Sequence, residues 1–208
     1  MHIQLYDKER RELAEEEFRI EPVIKLYKNK ISYYFCSFRI KELVESTKGI
    51  GGPVVDIGCQ QCFVTNMIKE TGKITFGFDL SYKALLNKVS ELPVVQADAY
   101  SLPIKSNSCN VICSDTLEHV SNPKKVISEL IRVAKKDIVI TIPFQAIGNL
   151  MRFFALFVNL KLYKNRYHHP LSINDIKDEL KKYNVKYEIK CYPSKFFLMG
   201  YLIKINKT

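Results

Sequence analysis

Short apolar runs alternate with amphipathic segments through the middle of the chain. Strands are expected at Val54–Ile57, Ile74–Phe78, Val94–Gln96, Val111–Cys113 and Ile138–Ile142, all apolar nearly throughout. Between them, helical spacing covers 61–71, 82–91 and 122–135, the last opened by Ser121-Asn122-Pro123, where proline suits the first helical turn. Apolar strands separated by helices predict a parallel sheet covered on both faces. Residues 5–48, rich in Glu, Lys, Leu and Tyr, predict two or three helices ahead of that unit, and Gly49-Ile-Gly-Gly-Pro53 punctuates the chain after them. Near the other end, Ser172 and Asp175 form an S-x-x-D cap for a helix running to about Tyr183. Val185–Tyr192 and Phe196–Ile205 follow as strands separated only by Pro193-Ser-Lys195, and so short a connection demands an antiparallel hairpin.

The length of 208 residues fits one domain. We divide it into an N-terminal helical cap (1–49), an α/β core (50–143), a helical insertion (144–170) and a C-terminal helix with hairpin (171–208). A composition 47% hydrophobic and 26% charged, with 8 Gly and 8 Pro, excludes disorder, collagen and repeat arrays. The net charge of +10 is uneven, because residues 144–208 hold twelve basic against four acidic groups. The charged opening Met1-His-Ile-Gln-Leu-Tyr-Asp-Lys-Glu-Arg10 lacks the apolar stretch of a secretory signal, so a cytoplasmic protein is expected. Phe153–Val158 is too short an apolar run to span a bilayer.

Six cysteines in a chain of this size read as reduced thiols. Cys59-Gln-Gln-Cys62 with Cys109-x3-Cys113 has the ligand count of a four-thiolate zinc site, but the second pair straddles a strand and should enter the core, so no metal is expected. A redox pair at Cys59 and Cys62 is the other chemistry the spacing offers.

In open parallel sheets ligands bind at the carboxyl ends of the strands. Four successive strands here end on or near a carboxylate: Asp56, Asp79, Asp98 and Asp115. This makes an acidic crevice in a basic protein. Asp79 follows Gly58 by 21 positions, close to the offset of about 20 at which an acid holds ribose hydroxyls in nucleotide-binding folds. Its other reading is a cap for the helix beginning near Ser81. Asp98 either accepts from an adenine amine or closes an Asx turn before Leu102-Pro103.

These residues, in this order, resemble the class I S-adenosylmethionine-dependent methyltransferases, particularly the small quinone-biosynthesis type. The stretch Ser114-Asp-Thr-Leu-Glu118-His119-Val-Ser-Asn-Pro123, continuing through Glu129-Leu-Ile-Arg132 to Ile138–Pro143, is similar to that family's segment after the fourth strand. The resemblance is strong over 50–143. It implies a Rossmann-like, mostly parallel seven-stranded sheet with S-adenosyl-L-methionine as cofactor. By that resemblance Asp56, Gly58, Cys59 and Gln60 belong to the cofactor loop, Asp79 takes the ribose, and Leu80 flanks the adenine. Asp98 with Ala99 meets the adenine edge, and Ser114 and Asp115 lie beside the methionine part.

The first loop departs from the family pattern of Asp/Glu-x-Gly-x-Gly-x-Gly. Here it reads Asp56-Ile-Gly58-Cys59-Gln60-Gln61-Cys62, with Gln and Cys at the second and third glycine positions. Glycine there permits close backbone approach, so two functions stand: methyl transfer, or a non-catalytic binding or regulatory protein on the same fold. Asn110, where an acid is usual, is a milder departure.

Methyl transfer needs near-attack positioning above all, and a base only where the acceptor must lose a proton. His119 is the candidate base; a helix-end histidine bonded to backbone is its other reading. His168 and His169 are weaker candidates for the acceptor side. Ser114-Asp-Thr-Leu117 lacks the Asn/Asp-Pro-Pro-aromatic turn of exocyclic-amine enzymes, and Pro143-Phe144 lacks the Pro-Cys nucleophile of carbon-5 cytosine enzymes. Gly-x-Gly-x-x-Gly is absent, which disfavours a nicotinamide dehydrogenase. A nucleic-acid partner is not expected, because no recognised motif accompanies the basic third. In Phe144–Tyr163, Ile147, Leu150, Met151, Phe154, Phe157, Val158 and Leu162 make an apolar helical face ahead of Lys164 and Arg166. That pairing predicts an apolar or amphiphilic small-molecule acceptor with an anionic group, presented at an anionic membrane surface.

Overall fold

The computed structural model describes residues 11, 12, 14, 15, 30–69, 74–144, 171–193 and 198–207. Its elements are α1 (Lys30–Thr47), β1 (Val54–Ile57), α2 (Phe63–Lys69), β2 (Ile74–Asp79), α3 (Tyr82–Leu86), β3 (Val94–Gln96) and β4 (Cys109–Ser114), then one 3-10 turn (Leu117–His119). After it come α4 (Pro123–Val133), β5 (Ala134–Pro143), α5 (Ile173–Leu180), β6 (Val185–Pro193) and β7 (Leu198–Lys207). The seven strands form one sheet in the order β3-β2-β1-β4-β5-β7-β6. The first five are parallel, and β7 runs antiparallel between β5 and β6.

Neighbouring residues of the central strands serve opposite cores, which explains their apolar character on both faces. Val111 and Ile138 point to the side covered by α4 and α5, and Ile112 and Val139 to the side of Leu43 on α1 and Ile68 on α2. Helix α4 buries Val126, Ile127, Leu130, Ile131 and Val133. Its start is fixed by Asn122, whose side chain accepts from the Lys125 amide at 3.2 Å, and by Pro123 in the first turn. The expected Ser172–Asp175 capping box is present at α5, with reciprocal backbone bonds of 3.1 and 3.0 Å.

Two elements differ from the sequence expectation. The helix expected over 82–91 stops at Leu86, because the Val89 amide is used by the Gln61 carbonyl at 2.9 Å. Strand β5 starts at Ala134, well before Ile138, because Ala134 pairs with Cys109 on β4 and Asp137 with Asn206 on β7, whose side chain donates to Asp137 at 2.9 Å. Of the stretch before residue 30, where helices are expected, residues 11, 12, 14 and 15 are described and are helical; the rest of it, the insertion over 145–170 with His168 and His169, and the start of the strand expected at Phe196 lie outside the described residues. No described helix is long and apolar enough to cross a membrane.

Candidate functional site

Strand order reverses between β1 and β4, so a crevice opens at their carboxyl ends. Gly58 leaves β1 with φ +80° and donates to the Phe78 carbonyl at 2.7 Å. A Cβ at this position would lie 2.1 Å from Thr116 Oγ1. Thr116 Oγ1 in turn donates to the Ile57 carbonyl at 3.3 Å. The turn after β4 therefore crosses directly over the first loop, and only glycine fits both the space and the backbone.

Gln60 and Cys62 have φ of 48° and 59°, so both keep the left-handed conformation for which glycine is suited. Hydrogen bonds hold them there. The Gln60 amide donates to Asp79 Oδ2 at 2.8 Å, the Cys62 amide to the Cys59 carbonyl at 2.7 Å, and Gln61 Nε2 to the Asn87 carbonyl at 3.1 Å. Asp79 serves the start of α3, the second of its two expected readings, with Oδ1 accepting from the amide of the N-cap Ser81 at 2.8 Å, while its Oδ2 pins the first loop. Leu80, half-buried beside it, accepts from Gln96 Nε2 at 2.9 Å.

Asp56 lies lower than the rest of the crevice, fully buried, with Oδ2 accepting from Thr65 Oγ1 at 2.5 Å. Burial pushes its carboxyl up to about 6, the Thr65 bond opposes this, the Asp79 charge adds to it, and Arg39 offsets it in part. Asp98 forms the Asx turn, Oδ1 accepting from the Tyr100 amide at 2.8 Å, with half-buried Ala99 inside that turn. Ser114 and Asp115 join one network. Thr141 Oγ1 stands 2.9 Å from Ser114 Oγ and donates to Asp115 Oδ1 at 2.9 Å, and Asp115 Oδ2 pairs with the Arg39 guanidinium. His119 occupies the 3-10 turn just after this network, Nε2 3.8 Å from the Glu118 carboxylate, its amide bonded to the Thr116 carbonyl at 3.0 Å.

The site thus brings Gln60 and Asp79 into one bonded cluster, with Gly58 tied to Phe78 beside it, and Ser114 and Asp115 into another. Sequence reading missed Thr116 and Thr141, which connect loops and strands, and Arg39, which reaches the crevice from α1. An arginine at 39 carries no local signal of a partner at 115. Glu15, also unforeseen, accepts from Ser81 Oγ at 3.2 Å and from the Lys83 amide at 3.3 Å, beside the end of β2. Asn110 explains its own departure from the family acid. Its Nδ2 donates to the Gly51 carbonyl at 2.6 Å while Oδ1 accepts from the Asp137 amide at 2.8 Å, and an ionised carboxylate has no donor for the first bond. Glu129 and Arg132 brace the loop after Asp98: Glu129 accepts from the Leu102 amide at 2.7 Å and Arg132 donates to the Leu102 carbonyl at 3.1 Å.

Four of the six thiols divide between two places. Cys109 and Cys113 belong to the core beneath α4, and burial pushes the Cys113 thiol far up. Cys59 and Cys62 pack with Leu85 against Val94 on the other side of β2, beside Gly77. Among the described residues no group of three His, Cys, Asp or Glu is placed to hold a metal ion.

The methyltransferase-domain family matches residues 55–142. No curated protein matches the sequence. Similar solved structures include magnesium protoporphyrin IX methyltransferase from Synechocystis PCC 6803 with bound SAH, 14% identical, covering 92% of this chain and 97% of that one, with a TM-score of 0.69. The PH0226 protein from Pyrococcus horikoshii OT3 is 15% identical, with coverages of 93% and 99% and a TM-score of 0.74. A possible histamine N-methyltransferase from Thermotoga maritima is 16% identical, with coverages of 88% and 98% and a TM-score of 0.60.

Proposed function

We propose that the chain, whose residues 55–142 match the methyltransferase-domain family, is a class I S-adenosylmethionine-dependent methyltransferase that methylates a small, apolar or amphiphilic acceptor at the carboxyl edge of β4 and β5. The observation that carries this reading is the first loop. Gln60 and Cys62 retain left-handed backbone where the family has glycine, so the loop keeps its shape without the glycines. That shape favours donor binding over a fold emptied of its activity.

The side chains present suit the donor. The Asp79 carboxylate, on the last residue of β2 and held by the Gln60 and Ser81 amides, is our ribose ligand. Asp98 and Ala99 would flank the adenine edge, and Ser114 and Asp115 the methionine end. The bound donor supplies an electrophilic methyl carbon on a sulfonium. The chain's own residues supply position: the Thr116–Gly58 contact sets the spacing between the two loops, and Thr141 fixes Asp115. His119 is our proton acceptor for acceptors that must lose one. Phe144 and Tyr201, edge-to-face with centroids 6.3 Å apart, sit at the carboxyl end of β5 and support an apolar acceptor. The basic C-terminal third supports an anionic group on it, and at an anionic bilayer surface would add attraction.

Calorimetric titration with S-adenosylhomocysteine tests the donor half. We expect saturable binding, weakened by about 1.5–3 kcal/mol in Asp79→Ala, the scale of a hydrogen bond to a charged group. Equal affinity in that variant would remove Asp79 as the ribose ligand.

A further inference from the structure

We propose that Cys59 and Cys62 are a reversible dithiol–disulfide pair built into the donor loop. No role in methyl transfer accounts for two thiols there, and the structure makes room for them. Gly77 on β2 faces both sulfurs, and a Cβ added to it would lie 2.7 Å from the sulfur of Cys59 and 3.4 Å from that of Cys62. Both thiols are reduced and buried, 7% and 0% exposed, and share the small apolar cluster with Leu85. The backbone between them is already a closed turn, the Cys62 amide donating to the Cys59 carbonyl at 2.7 Å. Such a turn holds its end Cα atoms within about 7 Å, against the roughly 4.4–6.8 Å that a disulfide requires.

The two sulfurs are also chemically unequal. The Cys59 thiol hydrogen-bonds to the Cys62 sulfur, which holds Cys62 below its usual range and, with burial, pushes Cys59 well up. A hydroperoxide is the oxidant. The thiolate of one cysteine attacks its distal oxygen, the O–O bond breaks, and with hydrogen peroxide a sulfenic acid and hydroxide form. The other thiol then attacks the sulfenic sulfur; the S–S bond forms, the S–O bond breaks, and the attacking thiol's proton leaves with the oxygen as water. Two thiols and one peroxide thus give one disulfide and two waters. External thiol reverses the change by exchange.

The consequence for the donor rests on the reading of the loop given above. Gln60, between the two cysteines, is the residue whose amide holds Asp79. Drawing two hydrogen-bonded sulfurs into a covalent bond displaces that turn and with it the carboxylate's partner.

The test treats full-length reduced protein with hydrogen peroxide, blocks remaining thiols under denaturing conditions, and maps the cross-link by peptide mass. The expected result is the loss of two hydrogens on the peptide joining Cys59 to Cys62, reversed by dithiothreitol, retained in Cys191→Ser and absent from both Cys59→Ser and Cys62→Ser. Affinity for S-adenosylhomocysteine should fall about fivefold on oxidation and recover on reduction. Over-oxidation of a single sulfur, a cross-link elsewhere, or unchanged affinity in the disulfide form would overturn the proposal. Failure of the reduced protein to bind S-adenosylhomocysteine would instead count against the donor reading, while the mapped cross-link still judges the pair.

Discussion

The loop after β1 and the turn after β4 meet at the same crevice and share one peculiarity: non-glycine residues in left-handed backbone, Gln60 and Cys62 in the first, Asp115 in the second. They sustain it differently. The first loop is held by backbone groups of residues 59, 78, 87 and 89 and by the Asp79 carboxylate, all at one end of the sheet. The second depends on side chains brought from other elements, Thr141 on β5 and Arg39 on α1. Strain in the first is therefore a matter of backbone conformation, whereas Asp115 is part of a charged network whose removal reaches the N-terminal helix.

The largest effect is expected where the two regions touch. Gly58→Ala puts a Cβ into Thr116 at a positive φ, and overpacking together with the left-handed backbone should cost about 3 kcal/mol. Chemical denaturation measures it, and Thr116→Ala in the same chain should recover part of the loss. Full additivity of the two changes would show that the loops do not press on each other.

A comparable effect lies beneath the first loop. Burial pushes the folded Asp56 carboxyl up to about 6 from the ordinary 3.8 of an aspartate, so the folded state holds its proton more tightly. This favours folding below about pH 4 and is lost as pH rises through about 6, at about 1.4 kcal/mol per pKa unit. Asp56→Asn keeps an acceptor for Thr65 and escapes ionisation, so it should be more stable than the parent at pH 8 by up to about 3 kcal/mol. At pH 4 it should be close to neutral. Equal differences at the two pH values would contradict the burial argument.

For the second region, Arg39→Ala leaves the Asp115 carboxylate partly buried without its guanidinium. A destabilisation of about 2 kcal/mol is expected, on the scale of a hydrogen bond to a charged group. A double-mutant cycle with Asp115→Ala isolates the coupling; none would mean that α1 is held only by its apolar face.

The smallest effect separates the two kinds of strain. Gln60→Gly should leave S-adenosylhomocysteine affinity undiminished and raise stability by about 0.5 kcal/mol, since relief of the left-handed penalty is offset by greater freedom in the unfolded chain. Asp115→Gly, at an identical φ of 48°, should lower stability because it discards the Thr141 and Arg39 partners. Thermal unfolding of both variants distinguishes these signs.

Much of the fold was legible because its signals are short-range. The central strands read correctly from unbroken apolar runs, α4 from Asn122-Pro123 with its apolar stripe, α5 from the Ser172–Asp175 box, and the hairpin from its brief connection. Carboxylates at the strand ends were likewise visible, since each ends a recognisable run. The ends of α3 and β5 were misjudged for one reason: their backbones pair with residues distant in sequence, Gln61 in one case and Cys109 on β4 in the other.

The chain by itself determined the α/β alternation, the capping of α4 and α5, the antiparallel close, and the match of residues 55–142 to the methyltransferase-domain family, because periodicity, caps and motif order are properties of neighbouring residues. Only the tertiary structure decided that Asn110 must donate as well as accept, that Arg39 answers Asp115, and that Thr116 forbids a side chain at position 58. It also decided that Gln60 and Cys62 keep a glycine's conformation. Sequence offers propensity at such positions, and propensity opposes the left-handed form for glutamine and cysteine. Hydrogen bonds to Asp79 and within the closed turn outweigh it, and those partners exist only once β1, β2 and α3 have come together.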